Sequence, residues 1–114
     1  MSLLPDILGE RSRGGRVELD LSVPADLACF AGHFPGLPIL PGVVQLDWSV
    51  KLGRERLGLN GEFAGAENLK FLSIVRPGAR LTLSLELAEA RRLRFSYFSA
   101  ERKYSSGTLL FAPP

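Results

Sequence analysis

One short stretch of the chain holds the three groups that proton-transfer chemistry beside a carbonyl needs. His33 is the only histidine among 114 residues and stands in Gly32-His33-Phe34-Pro35-Gly36. Proline and glycine make a stiff turn there, which holds an imidazole in one place, as a general base requires. A lone histidine is more often structural, and Asp47, 14 residues on, is what changes that reading. On a helix through this segment Asp47 has Val43, Val44 and Val50 at i−4, i−3 and i+3, with Leu46 and Trp48 beside it. A carboxyl on such an apolar face is costly to bury as an ion, and burial favours the neutral acid that can donate a proton. Position 47 also lies past the first turn, where a capping aspartate would serve. The third group is the backbone at Pro41-Gly42: the first N–H groups of a helix lack internal partners, and glycine lets a carbonyl oxygen approach them closely. Pro-Gly before a helix is also ordinary punctuation, so the combination of base, acid and amide donors carries the argument.

The elements that must position these groups can be read from periodicity. From Arg16 to Val23 the apolar Val17, Leu19, Leu21 and Val23 alternate with polar residues, a half-buried strand that Pro24 ends. Pro35, Gly36, Pro38, Pro41 and Gly42 then impose an extended, stiff loop. Val43, Leu46, Val50 and Leu57 recur at helical spacing until Gly58 offers a stop, predicting one helix over Val43–Leu57. The remainder reads as strands over 67–75, 80–88, 93–100 and 108–111, with turns at Arg76-Pro77-Gly78, near Arg91-Arg92 and at Ser105-Ser106-Gly107. The last of these strands is expected at an edge or closing position. Strand, helix and at least four further strands make an α+β domain, one long helix against a largely antiparallel sheet, with no internal repeat.

Composition bounds the rest. The length allows one domain, over residues 1–114, and 46% hydrophobic with 23% charged residues is the balance of a folding globular chain. A domain this small gains from a further apolar interface, most simply a homodimer. Fourteen basic against 12 acidic residues give +2, scattered along the chain, so nucleic-acid binding is not indicated. Cys29 is alone, which forbids an internal disulfide, and one cysteine with one histidine makes no zinc quartet, so no metal is expected. A reducing cytoplasm fits, and neither an export signal nor a run long enough to span a membrane is visible. Phe30, Trp48, Phe63, Phe71 and Phe95 read as ordinary core.

The stretch from His33-Phe34-Pro35-Gly36 through Pro41-Gly42-Val43 to Asp47 resembles the hot-dog-fold 3-hydroxyacyl-[acyl carrier protein] dehydratases. In that family a His-Phe-Pro-Gly loop joins a helix that begins Pro-Gly-Val and bears Glu or Asp at this spacing. Leu69-Lys70-Phe71 to Val75-Arg76-Pro77-Gly78 is similar to the family's third strand and turn, so the likeness runs from about residue 16 onward. Gln45-Leu46-Asp47-Trp48 resembles most the short ApeI-like dehydratases of aryl polyene and related lipid clusters. The resemblance implies a hot-dog fold, a central helix wrapped by the sheet and paired into a double hot dog. It also implies loss of water from a 3-hydroxyacyl thioester, on acyl carrier protein or CoA, to give the trans-2-enoyl thioester without cofactor or metal. His33 would take the C2 proton, Asp47 would protonate or orient the departing hydroxyl, and the Gly42 N–H would stabilise the enolate-like oxygen. The acid would come from the partner subunit, and the acyl chain would lie in a tunnel at the dimer interface.

Two departures bear on that expectation. Lys51 stands where these dehydratases usually have Gln, four residues after the acid, and is placed to pair with Asp47 and favour its carboxylate. The chain is also shorter than the housekeeping fatty-acid dehydratases, which points to a specialised pathway. Two other readings stay open: a non-catalytic acyl-binding or heterodimer subunit, which Lys51 keeps alive, and an acyl thioesterase on the same fold. Arg76, Arg80 and Arg92 are cations available to a phosphopantetheine phosphate, and the sequence does not choose among them.

Overall fold

A computed structural model describes residues 4–27, 30, 38–89 and 91–114. Its elements are β1 (Asp6–Arg13), β2 (Arg16–Ser22), α1 (Gly42–Leu57), β3 (Phe63–Phe71), β4 (Arg80–Glu89), β5 (Arg92–Phe98) and β6 (Lys103–Phe111). The strands form one six-stranded sheet in the order β1-β2-β4-β5-β6-β3, every pair antiparallel. The helix lies on one face of it, the arrangement of a hot-dog fold. Among the described residues no helix is long and apolar enough to cross a membrane.

The alternation seen in the sequence is the register of the core. Leu19 pairs with Leu83, Leu83 with Tyr97 and Tyr97 with Ser105, so one buried row crosses four strands. The next row runs Val17, Leu85, Phe95 and Gly107. Against these rows α1 buries Gln45, Trp48, Ser49, Leu52 and Gly53, spaced three and four apart as one helical face demands. Gly53 is small because β5 is close: a Cβ there would meet Leu93 Cδ2 at 2.6 Å. The helix ends as expected at Gly58, whose φ of 64° is the left-handed geometry glycine tolerates best.

Four expectations need correcting. Residues 6–13 form a strand that the sequence did not announce, because both of its faces are exposed apart from half-buried Gly9 and no alternation results. The strand expected over 67–75 runs instead from Phe63 to Phe71. Irregular register between Glu67 and Lys70, with Asn68 at φ 55°, hides its period, and Leu72 and Ser73 leave the ladder to donate together to the Tyr104 carbonyl. Ser105-Ser106-Gly107 is not a turn but the middle of β6, which lies inside the sheet between β5 and β3 rather than at an edge. The real turn precedes it, where Ser99 N–H donates to the Arg102 carbonyl and Ser99 Oγ accepts from Glu101 N–H. Of the aromatics read as core, Trp48 and Phe95 are buried, whereas Phe63 and Phe71 are 45% and 50% exposed.

Candidate active site

Pro41 and Gly42 meet the sheet through the segment before them. Leu40 N–H donates to the Val75 carbonyl at 2.8 Å, which ties the entry to α1 against the chain leaving β3. Pro41 is the N-cap residue and offers no side-chain hydrogen bond; its carbonyl accepts from Val44 and Gln45 N–H. No acidic residue stands in the first turn, so the positive end of the helix is not neutralised by its own side chains. The Gly42 and Val43 amides thus begin the helix without an internal acceptor.

Those amides border a cavity of about 600 Å³ whose walls include Leu40, Gly42, Val43, Phe71, Leu72 and Ile74. The wall is mainly apolar, the lining that an acyl chain requires. A Cβ at position 42 would come within 2.9 Å of the Phe71 ring, so glycine there is a packing requirement as well as an access one. The sequence pointed to Gly42 for access; the aromatic ring stacked on it was not foreseen.

Asp47 is five residues further along α1 and does not line this cavity. Of the apolar neighbours predicted for it, Trp48 is buried against the sheet and Val44, Leu46 and Val50 pack partly against the core, whereas Asp47 shares the exposed side of the helix with Val43: Val43 is 73% exposed and the Asp47 side chain 52%. The expected burial of the carboxyl is therefore not found within one chain. Its actual partner is Lys51, with Nζ 2.9 Å from Oδ2, the pairing that the i, i+4 spacing predicted. His33 and Cys29 lie outside the described residues. Among the described residues, no group of His, Cys, Asp and Glu side chains is arranged to hold a metal. Of the three arginines considered for a phosphate, Arg92 is ion-paired with Glu67, while Arg76 is exposed and directly follows the cavity residue Val75.

Beneath the helix start lies a polar cluster that the sequence reading passed over. Gln45 Nε2 donates to the Leu40 carbonyl at 3.2 Å and Gln45 Oε1 accepts from Ser105 Oγ at 2.6 Å. The Gln45 carbonyl accepts from Tyr97 OH at 2.7 Å and from Ser49 Oγ at 2.9 Å. Burial pushes the Tyr97 hydroxyl far above its ordinary value; the bond with Ser49 offsets part of this and the charge of Asp47 adds to it, so the phenol stays a donor. The available signal was Gln45 and Ser49 at i, i+4 on the face of Trp48 and Leu52, polar residues where apolar ones were due.

Comparison with known proteins covers the loop, the helix and the sheet together. The model of the ApeI-like family, described as ApeI dehydratase, matches residues 9–108. The 3-hydroxyacyl-[acyl-carrier-protein] dehydratase FabZ of Erythrobacter litoralis is 38% identical over 98 residues, 78% of this chain and 65% of that protein. FabZ of Bacillus subtilis is 34% identical over 96 residues, 78% of this chain and 68% of that protein. The chain spans about two thirds of the length of these curated relatives. Among solved structures, the dehydratase heterocomplex ApeI:P from Xenorhabdus doucetiae superposes with a TM-score of 0.87 at 27% identity, over 96% of this chain and 98% of that one. A protein of Erwinia carotovora subsp. atroseptica reaches 0.80 at 34% identity, over 96% and 97%. With a family model running from β1 into β6 and relatives above 30% identity across the same loop and helix, the chain belongs to the ApeI-like family of hot-dog dehydratases.

Proposed function

We propose that this protein dehydrates a 3-hydroxyacyl thioester, carried on acyl carrier protein, to the trans-2-enoyl thioester in fatty-acid or related lipid biosynthesis. The observation that carries the reading is the helix start itself: uncapped amides at Gly42 and Val43 open onto an apolar cavity of acyl dimensions. The relatives that share this loop and helix are 3-hydroxyacyl-[acyl-carrier-protein] dehydratases. The Gly42 N–H holds the thioester oxygen and stabilises the negative charge that develops on it. His33 removes the C2 proton, the C2–C3 double bond forms, and the C3 hydroxyl leaves as water with a proton from Asp47 or, where Asp47 only orients it, with the proton that His33 took from C2. No step calls for a metal or organic cofactor. A lone cysteine, Cys29, suits a cytoplasmic setting.

A homodimer completes the site in this reading. Asp47 faces away from its own chain's cavity and toward the open side of the helix, which supports its acting at the cavity of a partner subunit. A partner there would also withdraw the exposed side of α1 and the Asp47–Lys51 pair from water. The test is mass-spectrometric detection of the loss of one water from 3-hydroxyacyl carrier protein. Wild type should show it, and His33→Ala and Asp47→Asn should each slow it by about 10²–10⁴-fold. Unchanged rates in both variants would overturn the assignment.

The Lys51–Asp47 pair favours a second reading, a subunit that binds acyl chains without turning them over and works beside another hot-dog chain. The relative from Xenorhabdus doucetiae is a heterocomplex. A folded homodimer inactive at every chain length, regaining activity with a second hot-dog chain, would decide for it.

A further inference from the structure

The polar cluster under α1 is out of place in a core built from leucine. Gln45 and Ser105 are 3% and 1% exposed and Ser49 is fully buried, in rows otherwise filled by Leu19, Leu83 and Trp48. An apolar side chain of similar volume at position 45 would fill the same space without desolvating an amide. What apolar packing does not supply is direction: it is indifferent to small slides and rotations of a helix, whereas hydrogen bonds are not. The cluster bonds the helix to two different strands, through Tyr97 on β5 and Ser105 on β6, which are themselves directly paired. It also reaches back to Leu40, whose N–H is held by Val75. Gly42 therefore lies between two fixed points, Leu40 on one side and Gln45 on the other, and Asp47 follows two residues later.

We infer that Gln45, held by Ser105 and Tyr97, is a positioning residue that sets the height of the Gly42 amide and the direction of Asp47. This rests on the dehydratase reading above and deepens it. Gln45 borders the cavity, but its Oε1 and Nε2 are both engaged by protein partners, so it acts through the backbone rather than on the substrate. Hydrogen-bonded placement matters because a shift of about 1 Å in a reacting group can cost roughly a hundredfold in rate.

The test compares Gln45→Met, Ser105→Ala, the double variant and Ser105→Thr with wild type on 3-hydroxyacyl carrier protein. The first two should lower kcat by about ten- to a hundredfold with KM within about twofold, because the lost contribution exists only in the transition state. The double variant should be no worse than Gln45→Met alone, since both cut the same network, and Ser105→Thr, which keeps the hydroxyl, should restore kcat. Hydrogen–deuterium exchange supplies a readout independent of turnover: residues 40–46 should exchange faster in Gln45→Met while residues 52–57 stay protected. Unchanged kcat, a raised KM with kcat intact, or unchanged protection at 40–46 would each overturn the inference. Should Gln45→Met fail to fold, Ser105→Ala decides by the same criteria. Absence of turnover in wild type would defeat the dehydratase reading, while the exchange comparison would still decide the positioning.

Discussion

The two edges of the sheet are both exposed, yet they are built from different chemistry. On β1 Ile7 and Leu8 are exposed at one end, but the rest of the strand carries paired charge: Arg11 pairs with Glu18 and bidentately with Asp20 on β2, and Glu10 pairs with Arg56 from the end of α1. On β3 Glu67 pairs with Arg92, but Phe63, Leu69 and Phe71 stand exposed, and Leu72 and Ile74 continue the apolar run to the cavity wall. A charged edge discourages pairing with another chain, whereas an apolar edge with free backbone groups invites it. Under the proposed homodimer, β3 with the open side of α1 is the edge that a partner would cover, and β1 the one left to solvent.

The strongest way to break that contrast is a charge at the apolar end. Leu72 is 60% exposed and outside the ladder, so Leu72→Glu leaves the fold of one chain intact. In a dimer that covers this region the carboxylate would be buried without a partner, weakening association by about 3 kcal/mol, roughly a hundredfold. Light scattering should show a dimer becoming a monomer, with dehydration lost in step. A variant that stays dimeric would move the interface elsewhere.

The same contrast explains what could be read from the sequence. Strands β2, β4 and β5 were legible because one face of each is buried and the other is wet, which is what alternation records. The edge strands have no buried face to produce a period, so β1 was missed and β3 was placed four residues late. Ser105-Ser106-Gly107 read as a turn by residue type, but Gly107 is small because Leu69 and Phe95 crowd it, and Ser105 is polar because Gln45 needs a donor. The site divided along similar lines. The start of the helix at Pro41-Gly42 was legible, and so was the pairing of Lys51 with Asp47. The helical face on which Asp47 sits was misjudged, because valines on both sides of a helix look alike until the sheet chooses one.

A smaller effect sharpens the account of β3. Asn68 holds a left-handed φ of 55° within the irregular stretch that turns the strand toward the helix start. Asn68→Val inserts a residue that favours strands but resists this geometry, and it should cost about 1–2 kcal/mol. Asn68→Gly should stay within about 0.5 kcal/mol of wild type. Urea denaturation at one fixed protein concentration separates the two. If valine were tolerated as well as glycine, the backbone irregularity would not be what shapes this edge.

The smallest expected effect belongs to β1. Hydrogen bonds from Arg11 first and Thr82 second hold the Asp20 carboxyl below the ordinary aspartate range. A carboxylate whose folded value is depressed stabilises the native state above its unfolded value, and that contribution disappears as pH falls through the folded one. Stability of wild type should therefore decline on acidification below the ordinary carboxylate range, and Asp20→Asn should remove part of that slope while changing little at neutral pH, since the pair is open to water and screened. Thermal unfolding measured across that range, at low and high salt, checks both the sign and the screening. A slope unchanged in Asp20→Asn would show that the arginine network only decorates β1, leaving the exposed Ile7 and Leu8 to account for how that edge behaves.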